Sequence, residues 1–391
     1  MKWDCSIVTS RRGVTSDGWT LLPSWGLMVT DPESVKVSLN APVLIVGAGL
    51  IGASIGKALM AAGIDVHLWD IDRGNALVAA GRGAGTLDDL PDEAYRMVVV
   101  STPPAVVAPT IVERLMRHPH AVITDTASVK GAVLSELTTA GNGVDISRYV
   151  GSHPMAGTQY SGPLTASEEL FVDRTWVVAP RTDNRHDDVA QVVALARTCG
   201  ARVVSMDADE HDRAVAEVSH LPHLMSILTA ANLRHARAEH LSLAGSGIRD
   251  VTRIARSQTA MWRQILTSNR TEVRSQLEAI RDDLDDLLSR LDDSQRLEEF
   301  LSVGQAGARK LAGKHGHQMV ETTAVVVEIP DAPGALARLF ADVEAAGVNV
   351  EDLSVEHDPA REVGFLSIDV ATDRADRLAV SMRDHGWSVR S

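Results

Sequence analysis

The chain has 391 residues, of which 45% are hydrophobic, and its formal net charge is −14. This length allows two or three domains, and the acidic balance argues against nucleic acid or an anionic membrane as the main partner. The two cysteines, Cys5 and Cys199, are far apart and lack the spacing of a metal site, which indicates a cytoplasmic protein without disulfides or zinc. No apolar run approaches the roughly 20 residues that a membrane span needs. Residues 1–40 form an N-terminal extension whose structure the sequence leaves open, and they show no signal-peptide pattern.

A glycine-rich turn follows the first predicted strand. Residues 41–46 are typical of a short buried strand, residues 53–62 have a helical composition, and a GxGxxG motif lies between them at Gly47, Gly49, Leu50, Ile51 and Gly52. In this context the first glycine permits a tight turn, the second lets a pyrophosphate approach the backbone, and the third lets the helix pack on the strand. The pattern predicts an NAD-binding Rossmann domain over residues 41–205, with the phosphates at the helix N-terminus.

An acidic residue ends the second predicted strand. Asp70 lies 18 residues after Gly52, where a carboxylate can accept hydrogen bonds from the adenosine ribose. Because a carboxylate at this position repels a 2′-phosphate, the sequence favours NAD over NADP. Arg73 is close enough in the chain to leave NADP open as the alternative.

Strands and helices continue to alternate up to residue 205, which predicts a doubly wound α/β sheet. Ligands bind at the carboxyl ends of the strands in such sheets. The polar residues that follow two of the strands are therefore candidate cofactor contacts, namely Ser101, Thr102, Asp125 and Lys130, with Ser128 beside them. The alternative for Ser128 is a helix N-cap.

A short polar segment, residues 151–162, places one histidine among glycines and a proline. Pro154 favours an extended backbone at His153, and Gly151, Gly157 and Gly162 give the segment conformational freedom. A loop of this composition suits the presentation of a single imidazole, so His153 is a candidate catalytic residue. The alternative is a surface turn with an incidental histidine.

The pattern is helical from Met206 to about Leu311, which predicts a helical substrate and dimerisation domain over residues 206–312. Ser219, His220 and His223 lie in this region, and the two histidines share a helix face. We expect these residues to line the substrate pocket. Metal binding and packing against a neighbouring helix are the alternatives, but no third ligand has a clear motif, so we predict no metal.

A glycine-rich break at residues 245–247 precedes a predicted helix with two arginines, Arg249 and Arg253. They are four residues apart and can project together, and guanidinium groups bind carboxylates bidentately. We expect the pair to bind a substrate carboxylate, with Trp262 at the border of the pocket. A solvated helix face and a core position for Trp262 are the alternatives.

Apolar residues then recur at alternating steps of four and three, at Val273, Leu277, Ile280, Leu284, Leu287 and Leu291. This heptad spacing is typical of a seam between two helices and predicts a homodimer core. Packing within one subunit is the alternative.

Beyond a linker at Gly313–His317, residues 321–391 follow the order βαββαβ. Strands are predicted over residues 322–329, 348–355, 363–370 and 387–389, with helices over residues 335–346 and 374–384. This order predicts a ferredoxin-like unit.

Five motifs in one order give the region from Val43 to about Leu311 a close resemblance to the prephenate/arogenate dehydrogenase family. They are Gly47-Ala-Gly49-Leu-Ile-Gly52, Asp125-Thr-Ala-Ser128-Val-Lys130, Ser152-His153-Pro-Met-Ala-Gly157, Ser219-His220-Leu-Pro-His223 and Arg249-Asp-Val-Thr-Arg253-Ile-Ala255. The C-terminal unit resembles an ACT domain, a small-molecule sensor often joined to enzymes of amino-acid biosynthesis.

The resemblance implies an NAD-dependent oxidative decarboxylation of prephenate in tyrosine biosynthesis. It implies that His153 accepts the hydroxyl proton, that Ser128 is hydrogen-bonded beside it, and that Arg253 binds a substrate carboxylate. For the ACT domain it implies an amino-acid effector, such as tyrosine, bound near Asp331, Pro333, Gly334 and Asn349.

Two other functions remain open at this point. Arogenate dehydrogenase would differ only in an amino group on the substrate side chain, and the sequence does not show which residue meets that group. A non-catalytic regulator that binds NAD and an amino acid would keep cofactor binding without turnover, and the intact His153 and Arg253 argue against it.

Overall fold

The structure is a computed structural model that describes residues 19–21, 28–30, 37–140, 143–157, 161–311, 322–330, 332–358 and 363–390. The chain divides into two compact units. One comprises Met1–Ser242 with Asp250–Ala279, and the other comprises Leu243–Arg249 with Ile280–Ser391. The predicted linker at Gly313–His317 lies outside the described residues.

The described residues of the first unit form nine strands and a set of helices. The strands are β1 (Trp19–Leu21), β2 (Met28–Thr30), β3 (Val43–Val46), β4 (Val66–Trp69), β5 (Met97–Val100), β6 (Val122–Asp125), β7 (Gly151–Pro154), β8 (Thr175–Ala179) and β9 (Arg202–Ser205). The helices up to residue 242 are α1 (Leu50–Ala61), α2 (Arg73–Gly81), α3 (Val107–Arg117), α4 (Gly131–Ala140), α5 (His186–Thr198), α6 (Ala208–Val215), α7 (Leu221–Asn232) and α8 (Ala238–Leu241).

The predicted dinucleotide-binding part is built on a parallel sheet with the strand order β4-β3-β5-β6. Its central strands are apolar on both faces, and every residue of β3 and β5 is buried. Continuous apolar strands of this kind are typical of a parallel sheet covered by helices on both sides. The predicted strand–turn–helix–strand order through Asp70 is therefore confirmed.

The rest of the predicted doubly wound sheet forms a separate sheet with the order β1-β2-β9-β8-β7. Strand β7 is antiparallel to β8, whereas β8 is parallel to β9. An isolated bridge from Ile123 to Tyr149 and a hydrogen bond from Ser152 Oγ to the carbonyl oxygen of Asp125 link the two sheets. From the N-terminal extension, β2 pairs with β9 and so adds to this second sheet.

The segment around His153 corrects the loop prediction. All four residues of β7 are buried, and His153 pairs with Val177 of β8. The extended backbone that Pro154 favours is part of a strand rather than an exposed loop. The loop prediction was wrong because glycine, serine and proline are typical of turns. The sequence of β7 lacks the apolar residues by which a buried strand is normally recognised.

The chain is helical after β9, as predicted, and the described residues between 207 and 311 contain no strand. A π-helical turn, Ala216–His220, lies between α6 and α7. Helices α9 (Ser246–Thr252), α10 (Thr259–Ser268), α11 (Arg270–Arg290) and α12 (Ser294–Ala308) follow. Among the described residues, no helix has both the length and the apolar character needed to cross a bilayer.

Helix α11 carries the predicted heptad seam up to its last turn. Val273 near its start is buried, whereas Leu284 is 54% exposed and Leu291, just past its end, is 55% exposed. Exposed leucines at heptad spacing suit a contact with another helix. The homodimer core itself stays a prediction.

The C-terminal part of the second unit has the predicted βαββαβ order. Its elements are β10 (Thr322–Pro330), α13 (Ala335–Ala345), β11 (Val350–Asp358), β12 (Val363–Ala371), α14 (Thr372–Asp384) and β13 (Ser388–Arg390). The antiparallel sheet has the order β11-β12-β10-β13. Alternate residues of β10 and β12, including Val327 and Ile368, pack against the two helices, which is the ferredoxin-like arrangement.

Candidate active site

The turn between β3 and α1 has the geometry of a phosphate-binding loop. Gly47 has a φ of 102°, and a Cβ at that position would lie 2.5 Å from the carbonyl oxygen of Ser101. A Cβ on Gly52 would lie 1.9 Å from the carbonyl oxygen of Gly47. In contrast, a Cβ on Gly49 would meet nothing within 4 Å. The first and third glycines are therefore required by the turn itself, and the second leaves open space above the backbone.

The start of α1 is available to an anion. Gly49 is its N-cap residue, and no side chain caps the helix there. Leu50 and Ile51 form the first turn, where N–H groups and the helix dipole together favour a phosphate. The predicted contact residues of this turn therefore fit a dinucleotide.

Asp70 is held in place behind the glycine turn. Its carboxylate accepts a hydrogen bond from the backbone N–H of Ala48 at 2.7 Å and another from the N–H of Asp72 at 2.8 Å. These bonds fix an anionic group beside the loop, as a ribose-binding carboxylate requires. The position supports NAD over NADP on electrostatic grounds.

Two predicted contacts follow strand β5. Thr126 Oγ1 donates a hydrogen bond to Ser101 Oγ at 3.2 Å, and the Oγ1 of Thr102 is buried without a hydrogen-bond partner among the described residues. Since buried hydroxyl groups are normally hydrogen-bonded, the Thr102 hydroxyl is a group that a bound ligand could satisfy.

Asp125 and Lys130 are engaged by each other and by neighbouring protein groups, and their predicted contact with the cofactor stays a prediction. Asp125 is fully buried and forms an ion pair with Lys130, which is 2% exposed. The same carboxylate accepts hydrogen bonds from Tyr149 Oη at 2.9 Å and from the N–H of Ala127 at 3.0 Å, while Lys130 Nζ donates to the carbonyl oxygen of Ser152 at 2.7 Å. Their polar atoms are used inside the protein, so the pair ties the β6–α4 connection to strand β7.

His153 lies on β7 at the centre of a buried polar cluster. The residue is 9% exposed, and its Nδ1 lies 2.9 Å from Nε2 of His211 on α6. Burial lowers the pKa of His153 well below its usual range, and His211, Lys130 and His220 lower it further. The imidazole is therefore neutral near pH 7, as a proton acceptor must be.

The contact of His153 extends to a carboxylate that the sequence analysis missed. Nδ1 of His211 lies 2.7 Å from Oδ1 of Asp212, and His211 is completely buried. Asp212 also accepts hydrogen bonds from the backbone N–H groups of Lys130 and Gly131, both at 2.8 Å. The sequence analysis missed this contact because His211 is 58 residues from His153. The sequence signal that could have pointed to it was the adjacency of His211 and Asp212.

Ser128 is not the N-cap of α4, because the Asp212 carboxylate occupies that role at the first turn of the helix. The structure shows no hydrogen bond between Ser128 and His153 in the part of the chain it describes, and their pairing beside a bound substrate stays a prediction. Ser128 is half-buried and lines a small cavity of about 20 Å³ with Ala127, Val129, Ile265 and Ser268. Its hydroxyl stays a candidate for contact with a bound molecule.

His220 and His223 flank the indole of Trp262. The His223 ring stacks on the indole with 3.5 Å between centroids, and the His220 ring meets it edge-on at 6.1 Å. Asn269 lies between the cluster and α6, since its Nδ2 donates to the carbonyl oxygen of Asp212 at 2.8 Å and lies 3.2 Å from Nδ1 of His220. Burial lowers the pKa of His220 to about 4.

The histidine cluster has the composition of a pocket wall, with two buried neutral imidazoles and a half-buried indole. Ser219, also half-buried, lies in the π-helical turn next to His220. Within the described part of the chain, no three His, Cys, Asp or Glu side chains come together as metal ligands would. The contribution of these four residues to substrate binding stays a prediction.

The two predicted carboxylate-binding arginines do not share one helix. Arg249 lies on α9, which ends at Thr252, and Arg253 begins a 3₁₀ turn that runs to Arg256. Arg249 belongs to the second unit, so a joint binding site for the two arginines stays a prediction. The turn of Arg253 is fixed to α7 because the N–H of Ala255 donates to the buried Oγ of Ser226 at 3.1 Å.

The predicted effector residues of the C-terminal domain lie at opposite ends of α13. Gly334, with a φ of 87°, is the N-cap residue, Pro333 precedes it, and Asn349 comes after the helix. At about 1.5 Å per residue, the 11 residues of α13 separate the two segments by roughly 16 Å. A single amino acid cannot contact both within one subunit, and Asp331 lies outside the described residues.

Comparison with known protein families adds evidence for residues 55–205 and 207–304. A family profile described as prephenate dehydrogenase, nucleotide-binding domain, matches residues 55–205. A second, described as prephenate dehydrogenase, dimerization domain, matches residues 207–304. Both profiles end before the ferredoxin-like part of the chain.

Individual relatives agree with the profiles. The probable prephenate dehydrogenase NovF of Streptomyces niveus is 33% identical over 361 residues, which cover 89% of this chain and 99% of that protein. The crystal structure of prephenate dehydrogenase from Aquifex aeolicus with hydroxyphenyl propionate and NAD+ is 27% identical, with a TM-score of 0.62, and the match covers 71% of this chain and 100% of that one. The arogenate dehydrogenase of Synechocystis is 26% identical, with a TM-score of 0.61 and coverage of 68% and 99%.

Proposed function

The chain belongs to the prephenate dehydrogenase family, and we propose that it converts prephenate to 4-hydroxyphenylpyruvate by NAD-dependent oxidative decarboxylation. In this reaction the ring carbon that bears the hydroxyl loses a hydride, carbon dioxide leaves, and the ring becomes aromatic. The observation that carries the proposal is the buried, neutral imidazole of His153 in a chain whose β3–α1 turn is open to a dinucleotide. The bound dinucleotide supplies the hydride acceptor.

The protein residues have three tasks in the proposed mechanism. His153 accepts the hydroxyl proton as the carbonyl develops, which requires the neutral imidazole that burial maintains. Arg253 holds a substrate carboxylate and so fixes the ring relative to His153. The wall formed by His220, His223 and Trp262 shields the ring from water and places few charges beside it.

Arogenate is the alternative substrate, since an arogenate dehydrogenase is among the similar structures. The two substrates differ in one amino group, and a carboxylate near that group would favour arogenate. The buried carboxylates of the described site, Asp125 and Asp212, are both engaged by protein donors. This supports prephenate as the main substrate.

We also propose that residues 322–390 form an ACT domain that binds an aromatic amino acid, with tyrosine as the expected inhibitor. The ferredoxin-like order supports the assignment. Because Gly334 and Asn349 lie at opposite ends of α13, an effector that contacts both must bind between two subunits. The exposed Leu284 and Leu291 at heptad spacing support a homodimer, and the buried, unpaired Cys199 supports a cytoplasmic enzyme.

The decisive experiment measures NADH formation by the purified protein with prephenate and with arogenate, each with and without tyrosine. We expect turnover of prephenate that tyrosine suppresses. A clear preference for arogenate would change the assigned substrate and keep the mechanism. Binding of NAD without turnover of either compound would overturn the enzymatic assignment, and an absence of any tyrosine effect would overturn the proposed inhibitor.

A further inference from the structure

We propose that His211 and Asp212 are positioning residues that hold His153 in the one neutral form able to accept a proton at Nε2. The proposal rests on the proposed function, because it assigns how the proton acceptor of that reaction is prepared. It concerns three side chains from two elements, β7 and α6, that are in direct contact.

Hydrogen-bonding capacity determines the direction of each contact. An ionised carboxylate can only accept hydrogen bonds, so the contact of 2.7 Å between Asp212 and His211 Nδ1 requires a proton on that nitrogen. Nε2 of neutral His211 is then an acceptor. The contact of 2.9 Å to His153 is therefore made by a proton on Nδ1 of His153, and its Nε2 keeps a free electron pair.

The hydrogen-bonded series Asp212–His211–His153 is called the relay below. The carboxylate at its end, that of Asp212, is itself fixed. Asp212 Oδ1 accepts from the N–H of Lys130 and Oδ2 from the N–H of Gly131, both at 2.8 Å. These are donors at the first turn of α4, where the helix dipole favours a negative charge. Asp212 therefore cannot rotate away from His211 without leaving two backbone donors unsatisfied.

The relay also counteracts the cost of charging a buried imidazole. When His153 takes up a proton in the reaction, burial opposes the new positive charge, and so do His211, Lys130 and His220. The Asp212 carboxylate lies one imidazole away and stabilises that charge through His211. An orienting carboxylate of this kind acts on the rate of the chemical step and not on the binding of substrate.

The test compares two substitutions at one position, His211→Leu and His211→Gln, with the native enzyme. Leucine has a similar size but cannot accept a hydrogen bond, whereas the side-chain carbonyl oxygen of glutamine can accept one from His153 Nδ1. We expect His211→Leu to lower kcat by about 100-fold or more while KM for prephenate and Kd for NAD stay within about threefold. We expect kcat of His211→Gln to be at least tenfold higher than kcat of His211→Leu.

The measurements test the relay and the proposed reaction separately. Turnover of prephenate by the native enzyme tests the reaction, and the ratio of the two variant rates tests the relay. A kcat of His211→Leu within about threefold of native would overturn the relay. Equal losses of kcat in both variants, accompanied by equal losses in melting temperature, would show a purely structural role and also overturn it.

Discussion

Lys130 is buried against the carboxylate of Asp125 directly behind the strand that carries His153. Lys130 Nζ also donates to the carbonyl oxygen of Ser152, one residue before His153. Burial lowers the pKa of Lys130, and the charge of Asp125 opposes that change. The pair thus has a structural consequence for the site, because it fixes the backbone next to His153.

Removal of one partner of this pair leaves an isolated buried charge. We expect Lys130→Met to destabilise the protein by roughly 3–5 kcal/mol, because the Asp125 carboxylate loses its counter-ion in a water-free environment. The free energy of unfolding in urea measures the effect. The double variant Asp125→Asn with Lys130→Met should recover part of the loss, and a single variant as stable as the native protein would contradict the importance of the pair.

His153→Asn should remove the proposed proton acceptor without disturbing the cofactor loop. We expect kcat to fall by about 10²–10⁴-fold while Kd for NAD changes less than about threefold. Steady-state kinetics and a direct NAD-binding titration measure the two quantities. His118→Asn is a matched control, since His118 is a buried histidine of the same unit that lies beside Tyr95. Retained turnover in His153→Asn would rule out its role.

The lowered pKa of His153 predicts the pH dependence of kcat/KM. The reaction needs unprotonated His153, so activity is lost as the pH falls through a pKa well below 6.5 and is constant from there to about pH 8. Half-maximal activity at or above pH 6.5 would contradict this.

Low pH also lowers the stability of the fold, so loss of activity by protonation of His153 has to be distinguished from loss by unfolding. The folded-state pKa values of His153 and His220 are lowered, so the unfolded state binds more protons below about pH 6.5 and stability falls as the pH falls towards 4. Samples held at each acidic pH and then assayed at pH 7 distinguish reversible protonation from unfolding.

Gly49→Ala should separate cofactor binding from folding. Gly49 has a φ of −75°, and an added Cβ meets no protein atom, so we expect the melting temperature to stay within about 2 °C. The same methyl group would occupy the space through which the phosphates approach, so Kd for NAD should rise at least about tenfold. Gly81→Ala, which also meets open space at the end of α2, is the control and should leave Kd for NAD unchanged.

Arg253→Gln should weaken substrate binding rather than chemistry. A charge-assisted hydrogen bond contributes roughly 1.5–3 kcal/mol, so KM for prephenate should rise about 10- to 100-fold with a smaller change in kcat. Arg256→Gln is the matched control, because Arg256 is an exposed arginine of the same 3₁₀ turn. Equal effects of the two substitutions would indicate a general charge effect and contradict a specific carboxylate contact.

The sequence by itself determined the parts of the protein that depend on near neighbours in the chain. The turn from Gly47 to Gly52 and the carboxylate of Asp70 were predictable because strand, glycine turn and helix follow each other directly. The βαββαβ order of the C-terminal part was predictable from its strand and helix periodicity for the same reason.

Only the tertiary structure decided how His153, the proposed proton acceptor, is held. His153 lies in a buried strand, and its partner His211 is 58 residues away in the chain. The cap of α4 comes from Asp212, 82 residues after Lys130, and not from the nearby Ser128. Hydrogen-bond partners of buried groups are set by which elements pack together, and no local pattern of residues records that packing.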